Sequence, residues 1–306
     1  MANISKPKLY LGIVITIIAY LFLSIASAFV KSLNGHIPTM QIIFFQNLLS
    51  FLCILPFFLT KGKQLIKTHR INIHLVRDIS SVLSYILYFF AIKYINLIDA
   101  TVLNYTSPFY IPFIWRIWMK EKVDNNVWWT IIIGFIGIAL ILKPGHNIIN
   151  AYSIIGILAG LMSAISLVSL RILNTKCELL FCSLFYMFLV GTLISLPFVI
   201  LYWQTPDLIQ WFQIIAVGIS IGIGQILLTI AYRHGTASFL SPLSYSMVIF
   251  TIFISWVCFY KAPNWLTILG IFLIIFGGTL SFILKRKPKK LWKLFVHSNK
   301  KKCKKI

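Results

Sequence analysis

The side chains able to do chemistry are few, and most of the informative ones stand in one stretch. From Asp99 to Phe113 the chain reads D-A-T-V-L-N-Y-T-S-P-F-Y-I-P-F, setting Asp99, Thr101, Asn104, Tyr105, Pro108, Tyr110 and Pro112 among apolar neighbours. Only six carboxylates occur, Asp78, Asp99, Glu121, Asp124, Glu178 and Asp207, and they are scattered. No His/Asp/Glu cluster, phosphate-binding Gly-Lys loop or G-x-S-x-G elbow accompanies them, so a membrane-embedded enzyme ranks last among the readings. Gly218, Gly222 and Gly224 make no nucleotide fingerprint and read as sites of close helix packing. The five cysteines, Cys53, Cys177, Cys182, Cys258 and Cys303, lack CxxC spacing and imply neither disulfides nor a metal site. Amide, hydroxyl and phenol groups can instead hydrogen-bond a polar solute, so the expected chemistry is recognition, with no cofactor and no metal.

The elements that must position these groups are membrane helices. Of 306 residues 59% are hydrophobic and 11% charged, against roughly a quarter charged in a soluble domain. Ten stretches of about 20 residues could cross a bilayer. They fall near 10–30, 39–59, 75–93, 98–116, 126–142, 153–171, 180–202, 212–231, 237–259 and 265–284. The predicted fold is an all-α polytopic membrane protein. Lys6 and Lys8 before an apolar run holding Ala26-Ser27-Ala28 resemble a signal peptide, but the run is too long for an h-region.

A net charge of +22 would suggest nucleic acid in a soluble chain. Here it follows topology. With the N-terminus inside, thirteen Lys and Arg before the tail fall in cytoplasmic loops, and four, Lys31, Lys93, Lys143 and Lys261, fall outside. The positive-inside rule then puts both termini in the cytoplasm. The tail from Lys285 to Lys305 reads as a stop-transfer anchor against anionic lipid, in preference to a nucleic-acid site.

Sliding the chain against itself gives a repeat at a shift of 140. Ala19, Leu33, Asn34, Ala91, Tyr105 and Gly137 match Ala159, Leu173, Asn174, Ala231, Tyr245 and Gly277, and with one extra residue Pro56 matches Pro197. The twin of span one is span six, so the first span belongs to the fold. Five spans per half is an odd number, which predicts an inverted repeat, the plan of secondary transporters that bind solute near the midplane and rock. The expected organisation is a cytoplasmic N-terminus 1–9, a five-helix repeat 10–143, a second 150–284 and a basic tail 285–306.

Within this repeat, spans four and nine are both polar and carry proline, whose missing N–H is tolerated in hydrocarbon only beside protein or a cavity. Pro108 lies opposite Val248, so the helices correspond while their kinks do not. Helical spacing gathers Thr101, Asn104, Tyr105, Pro108 and Pro112 on one face of span four, and Ser241, Ser244, Tyr245 and Val248 on one face of span nine. Span three offers Ser81, Ser84, Tyr85 and Tyr88; span eight offers Gln225 and Thr229; span two carries Gln46 and Asn47. Lone serines such as Ser24 and Ser27 read as helix-packing residues. Gln46, Asn104, Tyr105, Gln225 and Tyr245 read as cavity-lining, because their polar atoms are costly in lipid.

The run from Arg77 to Pro144, with Ala91-Ile-Lys-Tyr94, Asp99-Ala-Thr101, Thr106-Ser-Pro108, Glu121, Trp129, Gly134-x-x-Gly137 and Leu142-Lys-Pro144, strongly resembles the EamA family of the drug/metabolite transporter superfamily. Ala231-Tyr-Arg-His234 and Ala237-Ser-x-x-x-Pro242-Leu-Ser-Tyr245 resemble its second repeat. The resemblance covers roughly 10–284. It implies ten helices in two inverted repeats around a cavity lined by spans one, three, four, six, eight and nine, and often a homodimer, in the bacterial inner membrane. Two departures stand out: Gln46 follows Phe44-Phe45 where the family often has Arg, and Lys261 replaces the acidic residue that Glu121 supplies in the first half.

No carboxylate sits near a predicted midplane, where proton-coupled carriers keep a titratable group. Asp99 reads as a helix-start residue, Asp78 as an interfacial partner of Arg77, and Asp99, Arg233 and His234 as gate candidates. The cavity candidates are Gln46, Ser84, Tyr85, Tyr88, Thr101, Asn104, Tyr105, Pro108, Gln225, Ser241, Ser244 and Tyr245. The expected function is a permease for a neutral, zwitterionic or aromatic-containing metabolite, with uptake or exchange of an S-adenosylmethionine-like or amino-acid-like solute as the first reading. Export of amino acids, drugs or toxic metabolites is the alternative.

Overall fold

A computed structural model of the chain describes residues 6–61, 68, 70–119, 132–133, 136–137, 140, 151–175, 180–234, 241–260 and 263–283. Its helices are α1 (Lys6–Leu33), α2 (Thr39–Lys61), α3 (Ile71–Tyr94), α4 (Leu97–Asn104), α5 (Ser107–Met119), α6 (Ala151–Thr175), α7 (Leu180–Leu201) and α8 (Leu208–His234). A 3-10 turn (Ser241–Tyr245), α9 (Ser246–Phe259) and α10 (Trp265–Ile283) follow. Among the described residues six helices hold stretches long and apolar enough to cross a membrane, α1, α2, α3, α6, α7 and α8. Most of the predicted fifth span, 126–142, lies outside the described residues, as do Glu121, Lys261 and the basic tail.

Helix ends follow local chemistry. Gly35, at φ 105°, turns the chain after α1, and Pro38 precedes α2. At the end of α3 the Lys31 ammonium donates to the carbonyls of Ile92 and of Ile95, the latter at 2.8 Å, and Asn34 Nδ2 donates to Phe89 O at 3.1 Å. A cation on the last carbonyls of a helix is favourable, so this lysine of the predicted outer loop ties α1 to α3.

Packing follows the repeat. The two most extensive helix pairs are α1 with α8 and α3 with α6, and exchanging the halves turns one into the other. The exchange also relates α1–α9 to α6–α4 and α2–α8 to α7–α3, while α2–α7 and α4–α9 map onto themselves. Individual atoms obey it. Ser84 donates to Ala159 O at 2.9 Å; at the positions 140 residues away, a Cβ on Gly224 would lie 3.2 Å from Ala19 O. Tyr85 and Gln225 occupy matched positions and touch each other. Two equivalent residues can meet only on the two-fold axis that relates them, so the axis passes between them.

The proline-bearing spans correct one expectation. Span four is broken between α4 and α5 at Tyr105 and Thr106, and the second-half element changes from 3-10 to α-helix at Tyr245 and Ser246. These positions are 140 apart, so the discontinuities correspond although the prolines do not. Both are fixed alike: Thr106 Oγ1 donates to Leu103 O at 2.6 Å, and Ser246 Oγ to Leu243 O at 2.6 Å. Pro108 and Pro242 each stand second in the segment they open, where a missing N–H is least costly.

Candidate solute site

The α4–α5 break is seated on α6. A Cβ on Gly160 would come 2.8 Å from Leu103 O, 2.8 Å from Thr106 Oγ1 and 3.1 Å from Asn104 O, so only glycine lets the helix approach this closely. With α4 held there, its polar face meets α3. Tyr88 Oη lies 2.9 Å from Thr101 Oγ1 and donates to Ser27 Oγ at 3.2 Å. Thr101 and Ser27 donate their own protons to Leu97 O and Leu23 O, so the single phenol proton serves two acceptors. One turn along α3, Ser84 Oγ sits between Ala159 O and Asn104 Oδ1, the latter at 3.5 Å. At the axis Gln225 Nε2 donates to Tyr85 Oη at 3.3 Å.

This cluster brings together Ser84, Tyr85, Tyr88, Thr101, Asn104 and Gln225. Tyr105 stands beside it, its ring edge-on to Tyr20 at 6.2 Å between centroids. Of these, Tyr85, Asn104, Tyr105 and Gln225 are only half-buried. Because of the break, Thr101 and Asn104 face α3 while Tyr105 meets α1, so the predicted single face is divided.

Other candidates lie elsewhere. Tyr245 is 3% exposed in a second apolar cluster with Val102, Leu103, Phe109, Val248 and Ile274, and its hydroxyl makes no hydrogen bond. Ser244 is buried beside it. Gln46 in α2 is wholly buried, and neither amide atom has a hydrogen-bond partner among the described residues. Its neighbour Asn47 donates to Ile43 O and lies against Gly191 of α7. Asp99 is in the first turn of α4, where a carboxylate suits the helix dipole. The side chains of Pro108, Ser241, Arg233 and His234 lie outside the described residues.

Asp78 pairs with Arg77 as expected, but inside the protein and not on its surface. It is fully buried, its Oδ1 3.1 Å from Arg77 Nη1, and Arg77 is 4% exposed. The sequence reading also passed over Tyr20, Thr106 and Ser246. A β-hydroxyl one residue after each matched tyrosine was the available signal for the last two.

Two repeats meeting across an axis through polar side chains, in a bundle of apolar helices, define a membrane carrier. The chain belongs to the EamA-like transporter family, which matches residues 10–143 and 150–283. Among curated relatives, the pseudopaline exporter CntI of Pseudomonas aeruginosa is 27% identical over 266 residues, 86% of this chain and 93% of its own. The S-adenosylmethionine uptake transporter of Rickettsia prowazekii is 26% identical over 284 residues, 92% of this chain and 95% of its own. A solved crystal structure, 18% identical, superposes with a TM-score of 0.64 over 89% of this chain and 96% of that one, which supports the fold.

Proposed function

We propose that this transporter moves a small neutral, zwitterionic or aromatic-containing metabolite, amino-acid-like or S-adenosylmethionine-like, by alternating access between repeats 10–143 and 150–284. The reading takes the fold as ten spans in two inverted repeats, with both termini cytoplasmic, in the bacterial inner membrane. The observation that carries it is the polar contact of matched residues Tyr85 and Gln225 on the two-fold axis, beside the matched helix breaks. Half-buried Tyr85, Asn104, Tyr105 and Gln225 supply phenol and amide groups, and no charge, for solute recognition. Ser84, Tyr88 and Thr101 form the wider shell of this site, while Gln46, Ser244 and Tyr245, apart from the cluster, enter it only if the halves move. The basic tail lies on anionic lipid, and two copies pair in the membrane.

Export is the second reading, favoured by the similarity to a pseudopaline exporter, since an inverted repeat works in either direction. The test is uptake of radiolabelled S-adenosylmethionine and an amino-acid panel into cells expressing the chain, beside Asn104→Ala and Gln225→Ala variants of equal membrane abundance. Saturable uptake lost in both variants is expected. Saturable uptake untouched by either substitution would remove these residues from the site. Rescue from a toxic solute without uptake would establish export.

A further inference from the structure

Arg77 and Asp78 are opposite charges that meet inside the described bundle, and the solute site does not use them. They lie about 11–12 Å along α3 from Tyr85 at ~1.5 Å per residue. Arg77, Ser81, Ser84 and Tyr88, spaced four, three and four apart, form one stripe of α3 leading from the central cluster to the charge pair. At its end Arg77 reaches across to the other half: Nη1 donates to the Ser183 carbonyl and Nη2 lies 3.5 Å from Met187 Sδ on α7. Ser81 Oγ contacts the same sulfur at 3.8 Å.

The bridge is incompletely bonded. Arg77 Nε, Asp78 Oδ2 and Ser183 Oγ are buried and make no hydrogen bond among the described residues. A buried ion pair that serves stability alone needs its remaining donors and acceptors filled. A contact that forms and breaks in every cycle is better left underbonded.

The matched seam at the opposite end of the bundle is built differently. Gly218 stands where the first half has Asp78, and its carbonyl accepts from Ser50 Oγ of α2 at 2.8 Å. A Cβ there would fall 2.5 Å from Leu49 Cβ, and one on Gly222 would fall 3.1 Å from Cys53 Cβ. One seam is therefore closed by tight backbone packing, and its counterpart by the Arg77 guanidinium on the Ser183 carbonyl, with Asp78 as its counter-ion on the same helix.

We infer that Arg77 is the gate at the α3–α7 end of the pathway, its guanidinium held by Asp78 on its own helix and bridging the halves through Ser183 and Met187, which it releases to admit or discharge solute. The inference rests on the alternating-access reading, which places this end at the cytoplasm. The experiment needs no solute, so its failure is distinct from a failure of the uptake assay.

Ser81→Cys is introduced into a full chain whose five native cysteines are replaced, and its reaction with a membrane-impermeant maleimide is timed in inside-out vesicles. In the Arg77→Met/Asp78→Asn background, which leaves no lone buried charge, the rate is expected to rise about tenfold, equivalent to about 1.4 kcal/mol in the open–closed equilibrium. Arg77→Lys, which keeps the charge and loses the fork, gives a smaller rise. Ser50→Cys, probed from the opposite face, does not react faster. An unchanged Ser81→Cys rate in either background, at parental abundance and melting midpoint, would overturn the gate. So would an equal rise at Ser50→Cys, which would mean general loosening.

Discussion

Replacing Gln46 with methionine separates stability from function at one candidate residue. Gln46 is wholly buried and both its amide atoms lack hydrogen-bond partners. An unsatisfied buried polar group costs about 1–3 kcal/mol. Methionine has nearly the same length and is the residue at the matched position of the second half, Met187. Gln46→Met therefore removes two unpaired polar atoms without opening a cavity, and the gain expected is about 1–3 kcal/mol from the same accounting. If the amide is retained for solute, the more stable variant is the poorer carrier, the usual exchange at functional positions. The assay is the thermal midpoint of the purified protein in detergent beside initial uptake rates at equal abundance. A lower midpoint at equal yield would refute the reasoning, since it would mean that the amide is bonded in the folded protein. A higher midpoint with unaltered uptake would remove Gln46 from the site and leave the energetics standing.

Three further outcomes follow from contacts already described. Gly160→Ala gains up to about 1 kcal/mol of helix propensity and loses about 1–3 kcal/mol to overpacking against Leu103 O and Thr106 Oγ1, so a net lower midpoint is expected in detergent melts. Tyr88→Phe leaves Thr101 and Ser27 bonded to their own helices and costs about 0.5–1.5 kcal/mol, measurable as a reduced midpoint. Thr106→Val and Ser246→Ala remove equivalent hydroxyl bonds, so each costs about 1 kcal/mol and the two add, because the sites share no partner; melts of the single and double variants check this.

The helical class, the repeat and its shift were legible in the sequence, because apolar runs and matched positions carry over directly into helices and pairings. Pro56 and Pro197 lie inside α2 and α7 as their matching implied. The breaks were misread because proline was taken as their marker. Thr106 and Ser246 mark them better, since a hydroxyl can bond a carbonyl three residues back and release the helix ladder at that point. The pairing of Asp78 with Arg77 was legible, but not its burial, because topology counts treat a charge near a helix start as wet and the reach of Arg77 to Ser183 and Met187 of α7 is invisible in one strand of sequence. Tyr245 shows a further limit: spacing assigns it a face of its helix, and only tertiary packing decides what that face meets.

The most direct test of the account is solute counterflow in liposomes reconstituted with the purified chain. Vesicles loaded with unlabelled solute and diluted into the labelled form are predicted to show saturable, transient accumulation above that in vesicles without protein. The effect would be weakened by Asn104→Ala and Gln225→Ala. Flux that rises linearly with concentration and equals that of protein-free vesicles, for every solute in the panel, would contradict a carrier built on these two repeats.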